Sequence, residues 1–359
     1  MDMLCRWRLL FQVLGEDEYS SVELSKAGLG ERELLHIFRS MLTVRLLDEW
    51  LIRLNRIGKL AFHAPNAGHE AVAAVTYALE ERDWIFPSHR DLALMVARGM
   101  TLDEIISDYI VTVKAPFKGR DFLQFFNKRL RIMQPPIVMA TSLPLAVGFA
   151  VACRYRKTDE VVAVFFGDGA SSKGDFHESA NLAGVMKAPI VFFLENNQYA
   201  ISMPASRQTA SETFAVKATA YGFEGLRVDG NDPLAIYLAA REAVEKARRG
   251  GGPTLIELYT YRLGAHTTAD DPSRYRDPEE VRRWMEKDPL KRFKEYLVKR
   301  GILTEEMERE MRRESEEEIR RVIEENEKLP KPPPRKVLFE NVFTQPPWFL
   351  EEEAEDITG

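Results

Sequence analysis

Asp168 and Asn197 are the residues whose types and spacing point most directly to chemistry. Asp168 sits in Gly167-Asp168-Gly169, and Asn196-Asn197 follows after twenty-six intervening residues. Both are hard oxygen donors, and two protein oxygens with phosphate and water suit an octahedral Mg²⁺. Gly167 and Gly169 leave room for the backbone to approach a phosphate. The neighbouring elements must then bring the pair together. Val161 to Phe166 is apolar on both faces, as a strand buried in a parallel sheet reads. Asp175, with Glu178 three residues on, makes a capping-box pattern. The helix it opens carries Phe176, Ala180, Leu182, Ala183 and Met186 and ends before Pro189. Ile190 to Leu194 is a second buried strand, with Glu195-Asn196-Asn197 directly behind it. This is a βαβ unit with a right-handed crossover. Its strands end at the sheet edge where open α/β sheets bind ligands. The alternative, turn residues of an ordinary doubly wound sheet, suits GDG alone better than GDG and NN together.

The rest of the chain supplies a frame. With 359 residues and 45% hydrophobic content it holds one large α/β domain or two smaller ones. The net charge of −6 gives no reason to expect nucleic acid. Cys5 and Cys153 form no metal-site spacing or disulfide framework, in keeping with a reducing compartment. No apolar run is long enough to cross a membrane. Met1 to Leu14 lacks the apolar core of a signal peptide and reads as part of an N-terminal arm over residues 1–30. Glu31 to Ile57 repeats Leu34, Phe38, Met41, Leu42 and Leu46 at helical spacing. His63 and His69 flank a loop before a small-residue helix, Ala71 to Leu79. Their spacing does not put them on one helix face, which argues against a metal. Phe62 and His63 line a substrate pocket on one reading; a surface or capping histidine is the other.

Trp84 to Arg90 is a short apolar run ending in Ser-His-Arg, ahead of an Ala/Leu/Met-rich helix. Arg90 suits a fork onto phosphate oxygens or a surface salt bridge. Gly119 to Met139 is irregular, and Pro135-Pro136 breaks it. Ala140 to Arg154 is a small-residue helix with Pro144 in its first turn, suited to packing on another subunit. A strand within Leu226 to Asp232, a helix from Pro233 to Arg249 and a strand from Thr254 to Tyr261 follow. Arg262 to Asp271 then brings His266, Thr267, Thr268, Asp270 and Asp271 to a strand end. Arg282 to Asn326 is charged and helical and reads as solvated. Residues 329–359 form an extended tail whose apolar residues pack on this chain or a partner.

The GDG and NN pair resembles the thiamine diphosphate motif. From about Leu34 to Leu350 the chain looks like the alpha subunit of the thiamine diphosphate-dependent decarboxylating component of a 2-oxoacid dehydrogenase complex. It is most similar to the branched-chain type, through TYRLGAHTTADDPSRYR, RVDGNDPLAIY and a proline-rich stretch before VLFENVF. The resemblance implies a thiamine diphosphate-binding fold over 31–328, a doubly wound, mainly parallel sheet flanked by helices, with a helical C-terminal extension. It implies Mg²⁺ on the side chains of Asp168 and Asn197 and the Tyr199 carbonyl. Gly167, Gly169 and Ala170 lie against the diphosphate, Arg90 binds it, and His89 stands where many relatives have tyrosine. His266 is the catalytic residue, beside the diphosphate and active in passing the acyl group to a lipoyl carrier. Thr267 takes the place of a serine that regulatory kinases modify in animal enzymes.

The implied function is oxidative decarboxylation of branched-chain 2-oxoacids in the cytoplasm. Two alpha and two beta chains assemble, the beta chain supplies a glutamate, and a lipoyl-bearing acyltransferase accepts the product. A pyruvate or acetoin dehydrogenase subunit is the alternative within the class, and a weakened scaffold subunit the alternative outside it. The scaffold reading rests on departures from the family pattern. The usual histidine is missing from Gly119 to Phe125, Ile137 and Val138 replace a serine and a proline, Met139 replaces the leucine that props the cofactor, and Lys173 replaces a glutamate.

Overall fold

A computed structural model describes residues 9–14, 28–120, 125–340 and 342–357. Cys5, most of the proposed N-terminal arm and Phe122 lie outside the described residues.

Six parallel strands form the main sheet: β1 (Leu10–Phe11), β2 (Trp84–Phe86), β3 (Val162–Gly167), β4 (Ile190–Asn196), β7 (Glu224–Asp229) and β8 (Thr254–Tyr259). Their order is β1-β7-β8-β4-β3-β2. The register sets Val162 opposite Ile190 and Gly167 opposite Glu195, so β3 and β4 finish together. The small hairpin β5 (Tyr199–Ala200) and β6 (Met203–Pro204) lies just beyond β4. Side chains along β3 alternate between two cores, with Ala163 and Phe165 in one and Val162, Val164 and Phe166 in the other. That alternation explains why the strand is apolar on both faces.

One core faces α1 (Glu31–Arg56), a 3-10 segment over Glu70–Ala78, α2 (Leu92–Ala97), α3 (Leu102–Ile110) and α6 (Pro233–Arg248). The other faces α4 (Ser142–Arg156) and α5 (Gly174–Met186), which pack together. Helices on both faces of a parallel sheet make the doubly wound α/β architecture anticipated above. The segment read as a small-residue helix from Ala71 takes the tighter 3-10 form.

Several local expectations need correction. Asp175 does not cap α5. The chain leaves β3 through a 3-10 turn, Asp168–Ser172, which places Lys173 at the cap position and Asp175 inside the first turn. There its charge complements the helix dipole, while no side chain bonds the helix start. The charged C-terminal region is three helices, α7 (Pro278–Met285), α8 (Pro289–Lys299) and α9 (Glu305–Glu327). Asp277, Asp288 and Thr304 cap their starts, so each cap restarts the chain in a new direction. Nor is α9 solvated all round. It buries Ser315, Ile319, Val322, Ile323 and Asn326, and Ser315 shares a 2.9 Å hydrogen bond with Thr43 on α1. The tail is not extended throughout, since it carries α10 (Pro334–Phe339) and α11 (Trp348–Asp356). Leu338, Phe343, Trp348 and Phe349 are exposed there. Among the described residues no helix is long and apolar enough to cross a membrane.

Candidate active site

Three strand ends converge. Past β3 comes Asp168, past β4 Asn197, and past β8 the segment Thr260 to Asp271. Loop 63–69 is stitched to this last segment. Thr268 N–H donates to the His63 carbonyl at 2.9 Å, Leu263 N–H to Ala67 at 3.0 Å, and the Thr260 hydroxyl to Gly68 at 2.7 Å. Gly68 permits the approach. Its φ is +101°, and a Cβ there lies 2.0 Å from the Tyr261 carbonyl oxygen.

Asp168 is 1% exposed and accepts a 2.5 Å hydrogen bond from Gln208 Nε2. Burial pushes its pKa up to about 6, against the pull of that bond and of the Arg262 charge. Asn197 is buried, and its Oδ1 accepts from Tyr199 N–H at 3.2 Å. Between them Gln198 holds φ +73°, with its side-chain amide donating to the Asn196 carbonyl and Oδ1, each at 3.0 Å. A non-glycine residue in that region is costly and marks a backbone bent for a purpose. The bend starts the β5–β6 hairpin and turns Tyr199 back to the sheet edge. A Cβ at Gly169 lies only 2.7 Å from the Ala200 Cβ, so the GDG turn and the hairpin press together.

Two guanidiniums face this acidic side. Arg90 is 4% and Arg262 1% exposed. Arg90 donates to the carbonyls of Pro65 and His266, each at 2.6 Å, and to His266 Nδ1 at 3.0 Å. Arg262 donates to the carbonyls of Tyr199 at 3.0 Å and Ile201 at 2.7 Å, and to the Tyr275 hydroxyl at 2.9 Å. No carboxylate accepts from either in these bonds, and Arg262 Nε is buried without a partner. Burial and the Arg262 charge lower Arg90 to about 10, and burial with the Arg276 charge lowers Arg262. Buried cations without carboxylate partners call for an anion.

His266 is half-buried between them, and burial with both arginine charges brings its pKa down to about 4. It is therefore neutral at pH 7. Nδ1 accepts from Arg90, so the ring proton resides on Nε2, which is a hydrogen-bond donor. His89 has its pKa lowered to about 3 by burial, Arg90, His266 and His69. It is a neutral ring in the same cluster.

The residues fit a divalent cation carrying a diphosphate. A desolvated carboxylate, an amide oxygen and a backbone carbonyl make a hard donor set. Arg262 uses one lone pair of the Tyr199 carbonyl, which leaves the second. Gln208 Oε1 is buried without a partner beside Asp168. Lowering the pH through 6 toward 4 is expected to stabilise the metal-free protein relative to its Asp168→Asn variant. The folded pKa lies above the unfolded 3.8, so the folded state holds the extra proton in that window. Above pH 6 the buried charge costs on the order of 3 kcal/mol. Thermal melts of both proteins at pH 4 to 7 check this. Mg²⁺ should close the gap at pH 7 for the wild type alone.

Other expected site residues stand apart. Met139 is exposed ahead of α4 and takes no part in this cluster. His63 is neither on the surface nor open to a pocket. It is fully buried, with Nε2 2.9 Å from Asp48 and Nδ1 3.0 Å from the Tyr109 hydroxyl. Phe62 lines a cavity of about 590 Å³ with Tyr109, Ile110, Val337 and Leu338. The sequence reading missed Arg262, Gln208, Glu195 and His69. A charged Glu195 ending an otherwise apolar strand was the available signal. It accepts from the Ser88 hydroxyl at 2.9 Å and lies 2.8 Å from His69 Nδ1. Burial and Glu195 raise Asp91 well above the carboxylate range. Burial also acts to raise Glu195, but His69, Ser88 and Asp91 outweigh it and leave its pKa lowered.

The family model described as dehydrogenase E1 component matches residues 38–335. The chain is 41% identical over 318 residues to the pyruvate dehydrogenase E1 component subunit alpha of Staphylococcus aureus strain COL, covering 88% of this chain and 84% of that protein. The subunit of the same description from Staphylococcus epidermidis matches with the same identity and coverage.

Proposed function

We propose that this chain, which belongs to the dehydrogenase E1 component family, is the thiamine diphosphate- and Mg²⁺-binding alpha subunit of a 2-oxoacid dehydrogenase acting on pyruvate. The observation that carries the cofactor part is the pairing of a desolvated Asp168 with buried Arg90 and Arg262 at one sheet edge. Asp168, Asn197 and the Tyr199 carbonyl hold the cation, and the arginines hold the diphosphate. Thiamine diphosphate, when bound, supplies the ring that stabilises the carbanion left by loss of CO₂. Neutral His266 offers its Nε2 proton to an oxygen of the substrate or cofactor, and the arginines on its other side keep it from becoming cationic.

The pyruvate assignment replaces the branched-chain one as the main reading, because the relatives at 41% identity are pyruvate dehydrogenase subunits. The loop from Arg262 to Asp271 favours branched-chain acids as the second reading. A beta subunit completes the site, and a lipoyl-bearing acyltransferase takes the acyl group. The exposed Leu145 on α4 and Leu182 and Val185 on α5 suit the subunit contact. The test is turnover by this chain assembled with its beta chain, using an artificial electron acceptor. Pyruvate is expected to exceed 3-methyl-2-oxobutanoate in kcat/KM by about tenfold or more, the usual scale for a few methylenes in a pocket. The reverse preference overturns the substrate and leaves the cofactor site standing.

A further inference from the structure

His69 stands between two residues that arrive from the end of β4. Its ring is buried, with Nδ1 2.8 Å from Glu195 Oε1 and Nε2 3.2 Å from Asn197 Nδ2. An ionised carboxylate only accepts, so Nδ1 carries the ring proton and Nε2 is a bare acceptor. Asn197 must then turn its amide NH₂ toward His69. The same choice leaves Oδ1 on the opposite side, where it accepts from Tyr199 N–H at 3.2 Å and keeps a second lone pair. Glu195 is itself fixed by the Ser88 hydroxyl at 2.9 Å, from the loop that carries Arg90. A carboxylate thus sets a tautomer, and the tautomer sets which way an amide faces.

We propose that His69 is a positioning residue that holds Asn197 with its oxygen toward the divalent cation, its own tautomer being locked by Glu195. The inference rests on the cofactor reading above and adds to it a residue that touches neither cation nor cofactor. Asn197 has little else to choose its orientation, because Tyr199 N–H is a single neutral donor. Partners of this kind typically set metal affinity by about 10- to 100-fold.

The test uses the assembled complex with thiamine diphosphate and titrates Mn²⁺, read from the free-ion electron paramagnetic resonance signal. His69→Met removes the donor to Glu195 and leaves only a weak thioether acceptor for Asn197, and Mn²⁺ affinity is expected to fall about 10- to 100-fold. His69→Gln can still donate to Glu195 and accept from Asn197, so its affinity should stay within about threefold of wild type. Metal-free melting temperatures of the two variants should match, which separates orientation from general stability. If His69→Met does not assemble, Glu195→Gln serves. Its amide can donate to Nδ1, which permits the other tautomer, and affinity should fall about tenfold. Wild-type affinity in His69→Met, or Gln and Met variants weakened alike, overturns the proposal. A wild-type complex that binds no Mn²⁺ overturns the cofactor reading instead, and this proposal with it.

Discussion

Asp168→Asn is expected to lower kcat/KM of the assembled complex about 10³-fold, with cation-dependent cofactor binding lost. The substitution keeps the shape and the Gln208 contact but removes the only negative charge that the expected ligand set of Asp168, Asn197 and Tyr199 carries. Electrostatic stabilisation by a bound cation is worth several kcal/mol, and about 4 kcal/mol corresponds to 10³ in rate. The same variant should melt higher than wild type when both are metal-free at pH 7, since a buried charge with a raised pKa is removed. Loss of function with gain of stability distinguishes a binding residue from a structural one. Lower stability together with lower activity would make Asp168 a packing residue.

Arg90→Ala is the second large effect. Its guanidinium is buried and aimed at carbonyls and His266, with no carboxylate among those acceptors. Charge-assisted hydrogen bonds are worth about 1.5–3 kcal/mol each, so cofactor affinity should fall about 10- to 100-fold. Arg90→Lys should recover little, because an ammonium cannot reproduce the planar fork. Removing Arg90 also removes one of the charges that lower His266. The His266 pKa should therefore rise from about 4 toward its usual value, and the acid limb of the pH–rate profile should move up with it. An unmoved acid limb would separate the two residues functionally.

The βαβ unit that carries Asp168 and Asn197 was legible because its strands are buried on both faces and its spacing is local. The convergence of those two residues with His266 followed from strand ends sharing an edge. What stayed hidden was long in sequence and short in space. Gln208 meets Asp168 across forty residues, and His69 meets Glu195 across 126. Neither pair has a periodicity to betray it. Helix spacing bore only on a metal at His69 and was silent on its partners, which come from the end of β4 and the residue past it. The capping pattern at Asp175 misled because the 3-10 turn after β3 shifts the helix start by two residues, from Asp175 to Lys173 at the cap. The charge of α9 hid a narrow buried stripe in which Ile319, Val322 and Ile323 recur at helical spacing.

The measurement that bears most directly on the central claim is CO₂ release from pyruvate by the assembled alpha and beta chains, with each component withheld in turn. Release is expected only when both chains, thiamine diphosphate and a divalent cation are present. Full turnover without the cation would contradict the role given to Asp168 and Asn197. A complex that holds the cofactor yet releases no CO₂ from pyruvate or 3-methyl-2-oxobutanoate would make this chain a scaffold.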